Sequence, residues 1–216
     1  MELFSRLIAF LILILISPIL VIISIFLLLF QGAPVLFKQE RVGYNYQCFK
    51  IYKFRTMKNN SGDLITGFND ERITFIGKFI RKTKIDELPQ LFNILKGEMR
   101  FIGPRPEVTK FFSESNFKFL KIIKPGISDY ASIIFRNESN ILKKIGGKNP
   151  YAELLPIKLK LADHYSKNKN FFLDLKLVMI TIISIIFPKY SSKRLIIPSL
   201  RERIPELGGF FEKYLL

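Results

Sequence analysis

The sequence predicts a mainly α-helical protein with short β or extended segments, in which an apolar N-terminal helix is followed by one compact domain. Residues 7–30, LIAFLILILISPILVIISIFLLLF, contain no charged side chain. Later segments repeat apolar residues at helical spacing, whereas one short stretch alternates as a strand does. We predict three regions in the 216 residues: a membrane-anchoring segment (1–36), a compact domain (37–190) and a basic, aromatic tail (191–216).

Composition restricts the partners and the kinds of site. The formal net charge of +16 and the pI of about 9.9 favour anionic partners such as lipid headgroups, nucleic acid or phosphorylated small molecules. Cys48 is the single cysteine, which excludes an intrachain disulfide, and with one histidine, His164, a Cys/His zinc site would lack ligands. We interpret both residues as packed or surface residues.

The apolar N-terminal run is long enough for a bilayer. As a helix, residues 7–30 would reach about 36 Å, against about 30 Å of hydrocarbon. A cleaved signal peptide is disfavoured, because the run is too long and no small-residue cleavage site follows it. Pro18 should kink the helix, and Ser17 can satisfy a freed carbonyl. The residues alone favour a kinked spanning helix, and a re-entrant hairpin that enters and leaves by one face is the alternative.

The remaining elements follow from periodicity and from glycine and proline signals. CFKIYKFRTM, residues 48–57, alternates and predicts a short strand, and 58–71 reads as a flexible loop. Residues 124–128 predict a turn, and 130–139 an extended segment. Helices are predicted over 72–83, 87–97, 108–123, 150–168 and 171–187. The tail either lies on anionic lipid or packs on the compact domain.

An acidic pair lies in the segment KIDELPQL. A helix tolerates Pro89 only in its first turn, so the helix should begin at about Asp86 or Glu87. Both carboxylates would then lie at the positive end of the helix dipole, where an N-cap is their ordinary role. Four cations precede the pair and make a phosphate site an alternative, namely Lys78, Arg81, Lys82 and Lys84.

Phosphate chemistry would give this pair a second role. Adjacent carboxylates can bind Mg²⁺, which typically uses one or two carboxylates together with substrate phosphates. A carboxylate beside a metal-bound diphosphate can act as a nucleophile, because metal and cations neutralise the charge that repels it. Asp86 and Glu87 therefore form a candidate phosphoryl-transfer site.

A second anion-binding candidate is the segment GPRPE. Arg105 lies between Pro104 and Pro106, so its guanidinium would lose little entropy on meeting a phosphate or a base edge. A structural turn is the alternative interpretation. Lys53 and Arg55 share one face of the predicted strand and either join the same pocket or are solvated.

Together these residues resemble the bacterial initiating sugar transferases, the small monotopic phosphoglycosyl transferases. The matching strings, in order, are KIYKFRTM, IRKTKIDELPQLFNILKGEMRFIGPRPE, KPGIS and LDLKLVMITI. With Ser17-Pro18 they cover the chain to about residue 187, and the middle string is highly specific. Lys84 and Asp129 depart from the usual pattern, which leaves details of the sugar or acceptor open.

The resemblance implies a fold, a location and partners. The N-terminal helix would be a re-entrant membrane hairpin broken at Ser17-Pro18, with a compact cytoplasmic catalytic domain at the bacterial inner membrane. The partners would be a UDP-sugar, polyprenyl phosphate (in bacteria, undecaprenyl phosphate) and the lipid bilayer, and no nucleic acid is expected. A direct glycosyltransferase that releases UDP, or a non-catalytic basic membrane-anchored module, is the alternative.

The resemblance also implies residue roles. Asp86 would attack the β-phosphate of the UDP-sugar, displace UMP and carry the phosphosugar until polyprenyl phosphate accepts it. Glu87 would serve positioning and, with Asp86, bind Mg²⁺. Substrate-binding roles are implied for Lys53, Arg81, Pro104, Arg105, Pro106, Arg136 and Asp174.

Overall fold

The apolar N-terminal segment is one long helix. In the computed structural model, which describes residues 2–58, 70–187 and 193–215, helix α1 runs over Glu2–Gln31. Pro18 lies inside it, and Ser17 Oγ donates to the Ile14 carbonyl at 2.8 Å. By length and composition α1 could cross a membrane. A membrane-anchoring helix thus agrees with the structure, whereas the hairpin at Ser17-Pro18 is not seen in it and stays a prediction.

Both ends of α1 are attached to the rest of the protein. At the start, Glu2 pairs with Lys124 at 2.8 Å, and at the end Arg55 donates to the main-chain carbonyls of residues 31–33. Between these ends, one face of α1 is buried in apolar clusters, through Ala9, Leu13 and Leu27. The helix therefore lies along the compact domain and presents its other, apolar face outward.

Two small sheets support the site. Strands β1 (Leu36–Val42) and β2 (Cys48–Phe54) pair antiparallel, which confirms the predicted strand. Strands β3 (Arg100–Ile102) and β4 (Gly126–Ser128) pair in parallel. The turn predicted at 124–128 is therefore wrong over 126–128, where pairing with β3 keeps the chain extended.

The described residues are 65% helical, which confirms the mainly α prediction. Helices near the acidic pair are short, and those nearer the C-terminus form most of the core. The helices after α1 are α2 (Phe75–Lys82), α3 (Leu91–Lys96), α4 (Tyr130–Ile134), α5 (Glu138–Ile145), α6 (Pro150–Asn168), α7 (Phe171–Ile186), α8 (Lys193–Arg203) and α9 (Gly208–Tyr214). The predicted helices at 72–83, 87–97, 150–168 and 171–187 are each confirmed in part or whole.

Two further predictions of local structure are wrong, and one lies outside the described residues. Residues 108–123 form only short 3-10 turns, because their aromatic side chains are buried in a local cluster rather than along one helix face. Residues 130–139 are largely helical, because the Asp129 side chain accepts from Ser132 N at 2.7 Å and caps α4. Most of the predicted loop, 59–69, is not described.

The C-terminal segment belongs to the core. Its apolar side chains are buried in one cluster with those of α4 to α7, notably Ile196, Ile197, Leu200, Leu207 and Phe211. Of the two alternatives for the tail, packing on the compact domain is therefore the one observed for residues 193–215.

Candidate functional site

The acidic pair lies in a tight turn that leads into α3. A 3-10 helix runs over Ile85–Gln90 and contains Pro89, in agreement with the predicted helix start. The residue before it, Lys84, has a left-handed backbone (φ 61°) and takes the cap position without a side-chain cap bond. The N-cap interpretation of Asp86 is therefore wrong, since this carboxylate caps nothing and is free for another role.

Most of the predicted site residues line one cavity. Its volume is 1490 Å³, and its walls come from β1, β2, α2, the 3-10 turn, the GPRPE segment and α4 to α6. That volume exceeds the roughly 300–1,000 Å³ of ordinary ligand pockets. The predicted residues in its lining are Lys53, Arg55, Arg81, Asp86, Glu87, Pro104, Arg105, Pro106 and Arg136.

Glu87 is held between two cations. Lys53 Nζ lies 3.1 Å from Glu87 Oε1, and Arg105 Nη2 lies 2.6 Å from the same oxygen. Arg105 Nη1 donates to Oε2 at 3.3 Å, so the guanidinium contacts both oxygens. β2 supplies Lys53, and the rigid proline-flanked segment supplies Arg105.

These contacts set the charges around Glu87. Burial alone would raise the pKa of Glu87, but Arg105 and Lys53 hold it well below its ordinary value. The attraction of Glu87 raises the pKa of Arg105. Burial lowers the pKa of Lys53 to about 8, with Glu87 opposing that shift. Glu87 is thus a carboxylate at neutral pH, with both oxygens engaged.

Asp86 has the opposite environment. The residue is only 7% exposed, and its Oδ1 has no hydrogen-bond partner among the described residues. Burial, followed by the charge of Glu87, raises the pKa of Asp86. The two adjacent carboxylates therefore differ in environment. Glu87 is neutralised by cations, whereas Asp86 is more basic and has an oxygen without a hydrogen-bond partner.

Further cations surround the cavity. Arg81 Nη1 donates to Thr56 Oγ1 at 3.4 Å, and Arg136 Nη2 donates to the Lys82 carbonyl at 3.5 Å. The lysines that line it include the three predicted ones, namely Lys78, Lys82 and Lys84. The cavity is therefore suited to a ligand with several negative charges.

Asp174 lies outside the lining of this cavity. It is in the first turn of α7, where its carboxylate lies 3.4 Å from Arg100 Nη2 and accepts a hydrogen bond from the Tyr165 hydroxyl. The structure does not bring Asp174 to the acidic pair, because its partners are on β3 and α6. Its substrate-binding role stays a prediction.

Sequence reasoning missed the role of Asp129 as a positioning residue. Besides capping α4, its Oδ2 accepts a hydrogen bond from the main-chain N–H of Arg105 at 3.3 Å. The pattern Asp-x-x-Ser at 129–132 is an N-cap signal that could have located the helix. The contact with Arg105 joins residues far apart in sequence and leaves no local signal.

Magnesium fits the acidic pair only together with a substrate. The described parts of the chain bring no three His, Cys, Asp or Glu side chains together as a metal site. Asp86 Oδ1 is buried without a hydrogen-bond partner, whereas Arg105 and Lys53 engage the oxygens of Glu87. Since Mg²⁺ is commonly bound through one or two carboxylates plus phosphates, the pair suits an ion that also contacts a diphosphate.

Comparison with known proteins gives a consistent result. The chain matches the bacterial sugar transferase family over residues 1–188. It is 37% identical over 178 residues, 79% of its length, to the UDP-N-acetylgalactosamine-undecaprenyl-phosphate N-acetylgalactosaminephosphotransferase of Aeromonas hydrophila. It is 36% identical over 80% of its length to the UDP-glucose:undecaprenyl-phosphate glucose-1-phosphate transferase of Klebsiella pneumoniae. These matches cover 40% and 37% of the two relatives, so the chain corresponds to less than half of either.

A third relative is closer in length. The sugar transferase EpsL of Bacillus subtilis (strain 168), described as uncharacterized, is 38% identical over 157 residues. The match covers 70% of this chain and 69% of EpsL. The acidic pair and the residues around it lie inside the matched family region.

Proposed function

Because the chain belongs to the bacterial sugar transferase family, we propose that it transfers a sugar phosphate from a UDP-sugar to polyprenyl phosphate, releasing UMP. The observation that carries the proposal is the buried oxygen of Asp86, which has no hydrogen-bond partner, beside a Glu87 that two cations neutralise. The names of the relatives support undecaprenyl phosphate as the acceptor and a UDP-sugar as the donor.

The reaction takes place in two displacements. In the first, an oxygen of Asp86 bonds to the β-phosphorus of the UDP-sugar, and the bond from that phosphorus to the bridging oxygen breaks, so UMP leaves. In the second, a phosphate oxygen of the polyprenyl phosphate bonds to the same phosphorus, and the bond to Asp86 breaks. The products are polyprenyl-diphosphate-sugar and the restored carboxylate.

Each neighbouring residue has a part in this chemistry. Glu87 holds Lys53 and Arg105 in place at the cavity wall, where their charges attract the donor phosphates. Arg81 and Arg136 add positive charge around the same cavity. The raised pKa of Asp86 makes its carboxylate a better nucleophile once it is ionised. Magnesium, when bound with the donor, would neutralise the diphosphate and assist departure of UMP.

Two displacements suit a soluble donor and a membrane-bound acceptor. Each substrate can visit one site at the membrane surface in turn, and α1 supplies the anchor. The catalytic domain then lies on the cytoplasmic face of the inner membrane, where the donor is available. In this proposal α1 re-enters that face by bending at Ser17-Pro18, and labelling of single cysteines along α1 from each side of the membrane tests the bend.

Two alternatives explain less of the site. A non-catalytic basic membrane module would account for the net charge and for α1, but not for a buried carboxylate held without a partner. A direct glycosyltransferase would release UDP instead of UMP and would require no covalent step on Asp86. Identification of the nucleotide product therefore separates the two enzymes.

The covalent step can be observed directly. Purified protein is incubated with Mg²⁺ and a panel of UDP-sugars, without lipid acceptor, and its intact mass is measured. We expect a gain equal to one sugar phosphate and release of UMP, both absent in Asp86→Asn. The matched control is Asp163→Asn, an exposed acid paired with Lys167, which should form the adduct as the unmodified protein does.

Two results would overturn the mechanism. Turnover with lipid acceptor in Asp86→Asn would show that Asp86 is not the nucleophile. Release of UDP in place of UMP would show that the sugar alone is transferred. In either case the oxygen of Asp86 that lacks a hydrogen-bond partner would need another explanation.

A further inference from the structure

Arg55 closes the C-terminal end of α1. Its Nη1 donates to the Ala33 carbonyl at 3.0 Å, and its Nη2 donates to the carbonyls of Gln31 and Gly32. Its main-chain N–H donates to the Val35 carbonyl at 2.8 Å. One residue thus binds four carbonyls within a stretch of five residues at the end of the apolar helix.

These bonds meet a need that α1 cannot meet by itself. The last carbonyls of a helix have no partners inside the helix, and a buried carbonyl without a partner is costly. Arg55 is only 7% exposed, so its guanidinium holds the Gln31 carbonyl and the turn after α1 from the protein side, although Gly32 and Ala33 themselves lie at the surface. A planar guanidinium can bind several acceptors at fixed angles, which a single ammonium group cannot reproduce.

The same segment of chain leads directly to the reaction centre. Arg55 follows Lys53, the partner of Glu87, by two positions in the chain. The next residue, Thr56, accepts from Arg81, and its carbonyl accepts from Thr74 N at 3.1 Å. Residues 53–56 therefore connect the end of α1 with two cations of the cavity.

Apolar packing follows the same path. Leu27 of α1, Phe54 of β2 and Ile80 of α2 form a buried cluster. Ile85, which immediately precedes Asp86, packs against this cluster. Leu27 near the end of α1 and Ile85 beside the nucleophile thus belong to one packed cluster, so the position of α1 determines where the acidic pair lies relative to the membrane.

We propose that Arg55 is a positioning residue. It fixes the position of the reaction centre relative to α1, and therefore its distance from the membrane, and thereby governs transfer to the lipid acceptor. The inference rests on the proposed function. The donor is soluble and reaches the cavity at any distance from the membrane, whereas the phosphate of a membrane lipid lies at a fixed depth. Loss of the Arg55 contacts should therefore impair the second displacement far more than the first.

The test separates the two displacements. Arg55→Met, Arg55→Lys and the unmodified protein are placed in lipid nanodiscs, with and without long-chain polyprenyl phosphate. The rate of adduct formation from a UDP-sugar is measured by intact mass, and the rate of transfer by lipid product. For Arg55→Met we expect the transfer rate to fall by about tenfold more than the rate of adduct formation, because misplacement of reacting groups by about 1 Å can cost up to about 100-fold.

The conservative variant and a remote variant complete the test. Arg55→Lys keeps a donor and should recover part of the transfer rate, provided that its thermal unfolding is close to normal. Lys160→Gln removes a cation from an exposed pair with Glu206 and should change neither rate. If both rates fall together in Arg55→Lys, or if neither falls in Arg55→Met, the inference is overturned.

Failure of the covalent mechanism would be recognised separately. If the unmodified protein transfers sugar phosphate without ever forming an adduct, the proposed intermediate is wrong. The role of Arg55 is then tested by comparing two polyprenyl phosphate acceptors. The ratio of transfer rates to a bilayer-embedded long-chain acceptor and to a water-soluble short-chain acceptor should then fall in the variants. An unchanged ratio would overturn the role of Arg55.

Discussion

Arg105 donates to both carboxylate oxygens of Glu87, at 2.6 and 3.3 Å, while the adjacent Asp86 keeps an oxygen without a partner. Neighbours in the chain thus have opposite roles, because the tight 3-10 turn directs them into different surroundings. Glu87 is a counter-ion for two half-buried cations, and Asp86 has an oxygen without a hydrogen-bond partner. This division has consequences for stability as well as for catalysis.

Replacement of Glu87 by Gln should destabilise the fold. Arg105 would keep its half-buried charge without a compensating carboxylate, and the pKa of Lys53, which Glu87 holds up, would fall further; together these losses should cost about 3 kcal/mol. For a protein of this size we expect thermal unfolding to begin about 6–12 °C lower. UDP should restore part of this loss, because its phosphates supply the missing negative charge. The matched control, Glu206→Gln at an exposed ion pair, should unfold at the normal temperature, and an equal shift in both would contradict the prediction.

Replacement of Asp86 by Asn should have the opposite effect on stability. Because burial raises the pKa of Asp86, the folded protein binds the proton more tightly than the unfolded chain, and the ionised carboxylate destabilises the fold at neutral pH. An amide removes that charge, so we expect an increase of about 2–4 °C in unfolding temperature at neutral pH. The difference between Asp and Asn should shrink as the pH falls through the raised pKa. A lower unfolding temperature for Asp86→Asn at neutral pH would show that the ionised carboxylate stabilises the fold.

Lys53 should produce the alkaline limb of the pH profile. Burial lowers its pKa to about 8, so its positive charge is lost as the pH rises through that value. We expect kcat/KM for the UDP-sugar, which reports on the free enzyme, to decline near pH 8. In Lys53→Arg the charge persists, and the limb should move to higher pH. Lys160→Arg is the control, and a limb that stays in place in Lys53→Arg would assign it to another group.

Asp129 should affect the donor through Arg105. Asp129→Ala removes the cap of α4 and the acceptor for the Arg105 N–H, which together should cost about 1–2 kcal/mol. The KM for the UDP-sugar should rise, since the Arg105 segment loses a fixed contact. Asp129→Asn keeps one acceptor oxygen, which can still cap α4, so it should retain most of the stability, whereas its KM should rise as in Asp129→Ala because the amide nitrogen cannot accept from the Arg105 N–H. Equal loss of stability in the two variants would exclude the capping role, and an unchanged KM in both would exclude the contact with Arg105.

Much of the site could be predicted because its signals are local. Pro89 placed the start of the helix within a residue or two, and the proline pair at 104–106 indicated a rigid arginine. The division of roles between Asp86 and Glu87 could not be predicted in this way. It depends on Lys53, 34 positions away, and on Arg105, 18 positions away, and no local pattern records those contacts.

The errors in secondary structure have a similar origin. The segment 130–139 contains β-branched residues such as Ile133 and Ile134, which favour a strand, but burial of both in the main core and the Asp129 cap favour a helix. The segment 108–123 has apolar residues at helical spacing, yet Phe117, Phe119 and Leu120 pack in a separate cluster. In both cases tertiary packing outweighs local preference.

The attachment of α1 at both ends determines how a water-soluble form could be made. Deletion of the helix would uncover Leu91, Ile94 and Phe54, which it helps to bury, and would remove the Gln31 carbonyl that Arg55 contacts. Surface redesign is the better route, with charged residues in place of outward side chains such as Leu15 and Leu29, which are 78% and 74% exposed. For protein engineering, α1 is therefore an integral wall of the domain and cannot be exchanged for another anchor without rebuilding the core beneath it.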